Sequence, residues 1–286
     1  MTGIAVVDKP AGWTSHDVVA RLRGALRERR IGHGGTLDPM ATGVLPVFVG
    51  RATRAVEFLE SSDKEYRAAC RFGLITDTQD ITGTVLSETG ERPPEAAAEA
   101  ALLGFLGAQE QLPPLYSAIK VEGKKLYEYA RQGREVARKP RQIEITEILP
   151  LGYGPEGDYH FRLTVSKGTY IRTVCHDLGQ RLGCGAAMSS LRRLRAGPFS
   201  LEDAVSLEAL TAPGGAGLLR PLDSLFRAFP ALTLEEEQGR RCRCGNTVSA
   251  PVEDGLWRLY DGSGEFLALA RAESGVLKTV KNFFEV

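Results

Sequence analysis

The sequence predicts an α+β fold. Three observations carry that prediction. Strand-like and helix-like segments follow one another without a strict βαβ rhythm, a polar and basic stretch interrupts the strand-rich middle, and residues 229–286 break into short glycine-punctuated strands. A chain of 286 residues predicts one large or two unequal domains, with ample material for a buried core. The natural division places a larger domain at 1–228, carrying an excursion at about 111–141, ahead of a small β-rich module at 229–286.

Each element follows from local pattern. Residues 4–7 (Ile-Ala-Val-Val) read as a strand, stopped by Pro10 and the turn Ala11-Gly12. Ser15 is the expected cap of a helix whose apolar stripe is Val18, Val19, Leu22, Ala25 and Leu26. A glycine-rich turn (Gly32, Gly34, Gly35) precedes a continuous apolar strand at 44–49, and Thr53 is placed to cap a short helix with Ala55, Val56, Phe58 and Leu59. Residues 64–75 alternate Tyr66, Ala68, Cys70 and Phe72 on one face, the period of a half-buried strand. The Ala- and Leu-rich stretch 95–106 should be helical. Strands are expected at 141–151, 159–167 and 189–195, with a helix at 169–182 between the last two. Beyond Phe229, strands are expected at 247–252, 256–260, 266–270 and 279–284. No internal repeat is visible.

Composition excludes several classes of protein. Apolar residues make up 43% and charged residues 25%, ordinary values for a soluble globular chain. No stretch approaches the roughly 20 apolar residues that span a bilayer, and the first residues lack the basic-then-apolar pattern of a secretory signal. Five scattered cysteines make no disulfide framework, which points to a reduced, cytoplasmic setting. Cys242 and Cys244 form an isolated C-x-C, the four histidines lack zincin spacing, and no phosphate-binding Gly-Lys-Ser/Thr or nucleophile elbow exists. Neither a metal nor a cofactor is expected. Net charge is zero, yet it is segregated: residues 120–141 hold eight Lys or Arg against three Glu, whereas acids gather at 88–110, 202–208 and 235–237. A basic face opposite an acidic back suits a polyanion, and solvated helix faces produce the same runs.

The most informative string is IGHGGTLDPMATGVLPVFVGRATR, residues 31–54. It holds one histidine, His33, among glycines and delivers one carboxylate, Asp38, into a Leu-Asp-Pro corner ahead of the buried strand. An isolated acid there is costly unless its charge has a use. The string resembles the catalytic motif of the bacterial tRNA pseudouridine synthase B family. Five more segments extend the resemblance over nearly the whole chain, in family order: DKPAGWTSHDVV near the start, DKEYRAACRFGLITDTQDITG (63–83), LPPLYSAIKVEGKKLYEYARQG (112–133), SKGTYIRTVCHDLG (166–179) and LRRLRAGPF (191–199). Gly34 departs from a Thr common in the family motif, at a position with no assigned chemical role.

The resemblance implies a mixed, mainly antiparallel sheet with flanking helices and, at 229–286, a small RNA-binding module of the PUA type. It implies isomerisation of uridine to pseudouridine at position 55 in the T-loop of tRNA, with Asp38 as nucleophile or base and no cofactor. Arg172 is the cation expected beside Asp38. By the same resemblance Tyr66 stacks near the target uracil, Tyr170 and Leu191 line the pocket, and His33 takes the place of the extruded base. Each of these four has a plain structural alternative as core or turn residue. Lys9 and Lys64, within matched motifs, are possible RNA contacts, and Lys120, Lys124, Lys125, Arg131 and Arg134 belong to the excursion that clasps the T-arm in the family. The partner implied is tRNA through its T-arm stem-loop, with no membrane and no obligate protein partner, the enzyme acting as a monomer. The competing readings are a tRNA folding helper with incidental catalysis, the same chemistry on another T-loop-like hairpin, and a glycoside hydrolase. The last is disfavoured because no partner acid accompanies Asp38 in the motif.

Overall fold

The computed structural model describes residues 1–121, 123–130, 132–134 and 136–284. The chain forms two compact units that do not follow chain order. One comprises Met1–Leu37, Val44–Glu60 and Gly197–Val286; the other comprises Asp38–Gly43 and Ser61–Ala196.

The second unit is built on a mainly antiparallel sheet. Its strand Ala186–Ala196 pairs antiparallel with Lys64–Phe72, which pairs in turn with Tyr159–Val165, then Arg141–Tyr153, then Gly107–Gln111. At the other edge Arg192 and Arg193 pair parallel with Thr42 and Gly43, the start of the strand Thr42–Val49. Gly43 sits at φ 98° against the Arg193 backbone, and a Cβ there would collide with it. The alternation read from residues 64–75 holds in part: Tyr66, Ala68, Cys70 and Phe72 are buried, but Ala69 is buried between them and the strand ends at Phe72. Ile143, Ile145, Phe161, Leu163 and Val165 extend the same core. The helices Glu95–Leu103 and Ile171–Arg181 occur where their patterns placed them, each slightly shorter than expected.

In the first unit, Gly3–Lys9 lies parallel to Val205–Ser206, with Thr42–Val49 on its other side. The helix Ser15–Leu26 buries Val18, Val19, Leu22 and Leu26. Its cap is Thr14 rather than Ser15: Thr14 and Asp17 exchange hydrogen bonds in a capping box, which leaves the Ser15 hydroxyl to bind the Leu37 backbone, accepting from its N–H at 2.9 Å. The glycine-rich turn is also corrected. Ile31–His33 is a strand, because its backbone pairs with Val49, Phe48 and Val47 and that ladder outweighs the glycine signal. The C-terminal part of this unit is a five-stranded sheet in the order Ala231–Thr233, Gly255–Tyr260, Phe266–Glu273, Val276–Asn282, Val248–Ser249. Phe58, Phe226, Phe266 and Phe283 form an aromatic cluster at this sheet, with neighbouring centroids 5.2–6.0 Å apart. Among the described residues no helix is long and apolar enough to cross a membrane.

Candidate active site

Asp38 occupies the turn before Thr42–Val49, closed by the Ala41 N–H donating to the Asp38 carbonyl at 3.0 Å. Its carboxylate meets the Arg172 guanidinium at both oxygens: Nη2 donates to Oδ1 at 3.0 Å and Nε lies 2.9 Å from Oδ2. This fork geometry is the strong form of an ion pair, and it offsets the desolvation of the acid. The side chain of Asp38 keeps 29% of its surface exposed, whereas that of Arg172 keeps 6%. The cation is buried and the acid remains open to a substrate.

Arg172 is fixed from several directions. It stands in the first turn of the helix Ile171–Arg181. Nη1 donates to the Thr78 carbonyl at 3.1 Å and Nη2 to the Tyr116 carbonyl at 2.9 Å. A second carboxylate, Asp80, approaches Nε at 3.9 Å and is itself buried. Asp80 is locked by its own turn: its Oδ1 accepts from the Thr82 N–H at 2.9 Å and the Thr78 hydroxyl at 2.9 Å. The turn needs Gly83, where a Cβ would strike Thr78 and Asp77, and Gln79 adopts φ 65°. The Tyr116 hydroxyl donates to Asp77 at 3.2 Å, tying the residue whose carbonyl holds Arg172 to the same turn. Asp80 was not singled out from sequence, although its Thr-Asp-Thr-x-Asp-x-x-Gly turn was visible; its neighbourhood to Arg172 exists only after folding.

The aromatic residues assemble on the same unit. In the register of the two central strands, Tyr66 faces Arg193 and Leu191 faces Ala68. Tyr66 and Leu191 are therefore diagonal neighbours on one sheet face, a separation of about 7–8 Å. Both are buried, at 9% and 8% exposed. Arg192, next to Leu191, pairs with Thr42 in the same short segment as Asp38. Tyr170 caps the helix that carries Arg172, and the Gln111 side chain clamps its backbone, accepting from the N–H at 2.8 Å and donating to the carbonyl at 3.1 Å. Burial pushes the Tyr170 hydroxyl above its ordinary value. Ser117, Arg141 and Arg172 oppose that rise, while the Asp38 charge adds to it, so ring, guanidinium and acid share one electrostatic neighbourhood.

The remaining expected contacts divide. His33 belongs to the other unit, half-buried on its strand opposite Val47. Lys9 is fully buried, and its ammonium donates to the carbonyls of Pro10 at 2.8 Å and Trp13 at 2.6 Å, bracing the turn after the first strand. Lys64 is buried too, donating to the Ser62 carbonyl at 2.5 Å. Lys120 and Lys125 face each other in a two-stranded ribbon, with Lys124 beside them. Lys125 lies 5.5 Å from the Tyr127 ring centre and Arg134 5.5 Å from that of Tyr129. Lys120, Lys124 and Arg134 are exposed. Arg131 lies outside the described residues. Among the described residues no group of three or more His, Cys, Asp or Glu could hold a metal ion.

Residues 23–171 match the family model for the TruB family pseudouridylate synthase N-terminal domain, 172–226 that for the tRNA pseudouridylate synthase B C-terminal domain, and 230–280 that for the pseudouridine synthase II TruB C-terminal region. The chain belongs to the TruB family of pseudouridylate synthases. The tRNA pseudouridine synthase B of Shouchella clausii is 42% identical, spanning 100% of this chain and 99% of its own. That of Opitutus terrae is 48% identical over 81% of this chain and 96% of its own. Among solved structures, the crystal structure of a Cbf5-Nop10-Gar1 complex contains a chain 28% identical, with a TM-score of 0.74 over 99% of this chain and 85% of that one.

Proposed function

We propose that this enzyme isomerises uridine to pseudouridine at position 55 in the T-loop of tRNA, with Asp38 as the catalytic carboxylate. The observation that supports this reading best is the pairing of a partly open acid with a buried, bidentate arginine. The uracil N1–C1′ bond breaks, the base turns, C5 joins C1′, and the proton leaving C5 is balanced by one gained at N1. No atom or electron is added, and the chemistry asks only for a carboxylate held beside the sugar. Asp38 fills that role, acting at C1′ or on the 2′ proton. Arg172 is a positioning residue that aims the acid, and Asp80 and the Thr78 and Tyr116 carbonyls position Arg172.

The target base must leave the loop stack before it reacts, at a cost of a few kcal/mol. Tyr66 stacks on the extruded uracil, Tyr170 and Leu191 wall it in, and His33 fills the vacated place in the loop. Lys120, Lys124, Lys125, Arg131 and Arg134 grip T-arm phosphates, and residues 229–286 form a second RNA-binding domain after the catalytic domain 1–228. The enzyme works on free tRNA as a cytoplasmic monomer.

The deciding experiment is Asp38→Asn, assayed by mapping pseudouridine in tRNA treated with pure protein. Product should vanish while tRNA binding stays within a few-fold of wild type. A normal rate from the variant would overturn the proposal.

A further inference from the structure

Residues 21–30 hold five arginines (Arg21, Arg23, Arg27, Arg29 and Arg30) and one acid, Glu28. All five arginines are exposed. Glu28 does not neutralise them: one oxygen accepts from the Arg30 N–H at 2.9 Å, and the other lies 3.9 Å from the Met1 amino group. Among the described residues none of the five guanidiniums has an ion-pair partner, and Arg23 alone makes a hydrogen bond, to the Ile31 carbonyl at 3.0 Å.

Helix chemistry accounts for one of the five. Arg23 lies in the last turn of the helix Ser15–Leu26, where a cation complements the negative end of the dipole. Arg27 is the C-cap, in the left-handed region at φ 51°, and Arg29 and Arg30 lie beyond the helix. Crowding like charges on a surface without counter-ions is unfavourable, and an anion from outside relieves it. Arg23, Arg27, Glu28 and Arg29 border one shallow, open depression of the surface. The chain then runs extended through Ile31–His33, and at roughly 3.3 Å per residue Arg30 stands about 10 Å from His33 along the strand.

We infer that this arginine cluster is a second phosphate-binding surface for the RNA substrate, gripping backbone next to the segment that meets His33. The inference rests on the reading of the substrate as tRNA. RNA backbone fits better than a lone anion because Arg23, Arg27 and Arg29 border one open depression, with a further cation, Arg30, next along the chain, offering several phosphate contacts rather than one.

The test is the double variant Arg27→Gln/Arg29→Gln in the full chain, with an unmodified tRNA transcript as probe and Kd measured from 0.1 to 1 M salt. Each lost phosphate contact removes about 0.7–0.9 from the slope of log K against log salt, so the slope should shrink by roughly 1.4–1.8. With the contacts silent at 1 M, affinity at 0.1 M should fall roughly 25- to 60-fold. Arg27→Lys/Arg29→Lys should recover most of it, which a folding defect would not. An unchanged slope overturns the inference, as does a loss of equal size at 1 M salt. Lost binding to phosphatidylserine vesicles with tRNA binding intact overturns it too. Pseudouridine formation by the wild-type protein is scored in the same tubes: its absence refutes the proposed reaction, while the slope comparison still decides the arginine cluster.

Discussion

Two arginines in this molecule each stand between two carboxylates, and they do different things. Arg172 sits between Asp38 and Asp80; Arg243 sits between Asp261 at 2.6 Å and Glu265 at 2.8 Å. The partners are alike in chemistry, although Asp80 stands off at 3.9 Å from Arg172 while both acids of Arg243 are within 2.8 Å. The setting differs: 6% of the Arg172 side chain is exposed, against 35% for Arg243. Arg172 also spends donors on two carbonyls from separate loops, whereas Arg243 joins one helix end to one turn and leans over the Phe284 ring at 5.5 Å. Water screens the outer cluster and lets its members part at little cost. In the inner cluster each group depends on the others, and the one surface left open belongs to Asp38. An ion cluster becomes a site through burial on all sides but one.

The sharpest way to break this comparison is to truncate both arginines. Arg172→Ala strands Asp80 and half-strands Asp38, and should cost about 3–5 kcal/mol of stability, read by urea unfolding, along with all detectable pseudouridine formation. Arg243→Ala should cost about 1 kcal/mol or less and leave the rate on tRNA within twofold. Equal losses from the two would show that burial is not what separates them. Arg172→Lys sharpens the point: it keeps the charge and loses the fork, so activity should remain severely reduced even if the fold recovers.

Asp80 comes next in size. Asp80→Asn keeps an oxygen for the Thr82 N–H but removes the charge facing Arg172, and should destabilise the protein by about 1.5–3 kcal/mol. Because its effect runs through the aim of Arg172 and hence Asp38, kcat should fall while KM for tRNA moves little. A raised KM with unchanged kcat would place Asp80 in RNA binding instead.

How much of this was legible in sequence depended on whether a residue's role is written in local pattern. Asp38 and Arg172 were singled out through the family-like strings that contain them, GGTLDP and SKGTYIR, and the fold brings the two side chains together. Asp80 was not, because Thr-Asp-Thr reads as an ordinary polar turn until folding brings Thr78 and Asp80 against the helix Ile171–Arg181. The setting of Lys9 was hidden for a related reason. A lysine before a Pro-Ala-Gly-Trp turn looks solvated, yet its stem is buried and its ammonium serves the turn's own carbonyls. Strands with mostly period-two burial, such as Lys64–Phe72, were visible, and three-residue strands such as Ala231–Thr233 were not, since only the parallel partner Gly255–Tyr260 makes them strands.

The smallest expected effect lies in the outer cluster and carries a pH signature. The Asp261 carboxylate is held down to about 2, chiefly by the Ser263 hydroxyl, with the Glu265 and Ser263 amides and Arg243 adding to it. A carboxyl group lowered on folding stabilises the native state above its unfolded value of 3.8, and that contribution is lost as pH falls toward about 2. Its size is modest, about 1 kcal/mol once solvent screening is allowed for. Melting curves of wild type and Asp261→Asn should therefore differ by a few degrees at pH 6 and converge between pH 4 and 2. A gap that persisted unchanged to pH 2 would mean that Asp261 acts through the shape of its turn and not its charge, and the outer cluster would then have no electrostatic role to set against that of Arg172.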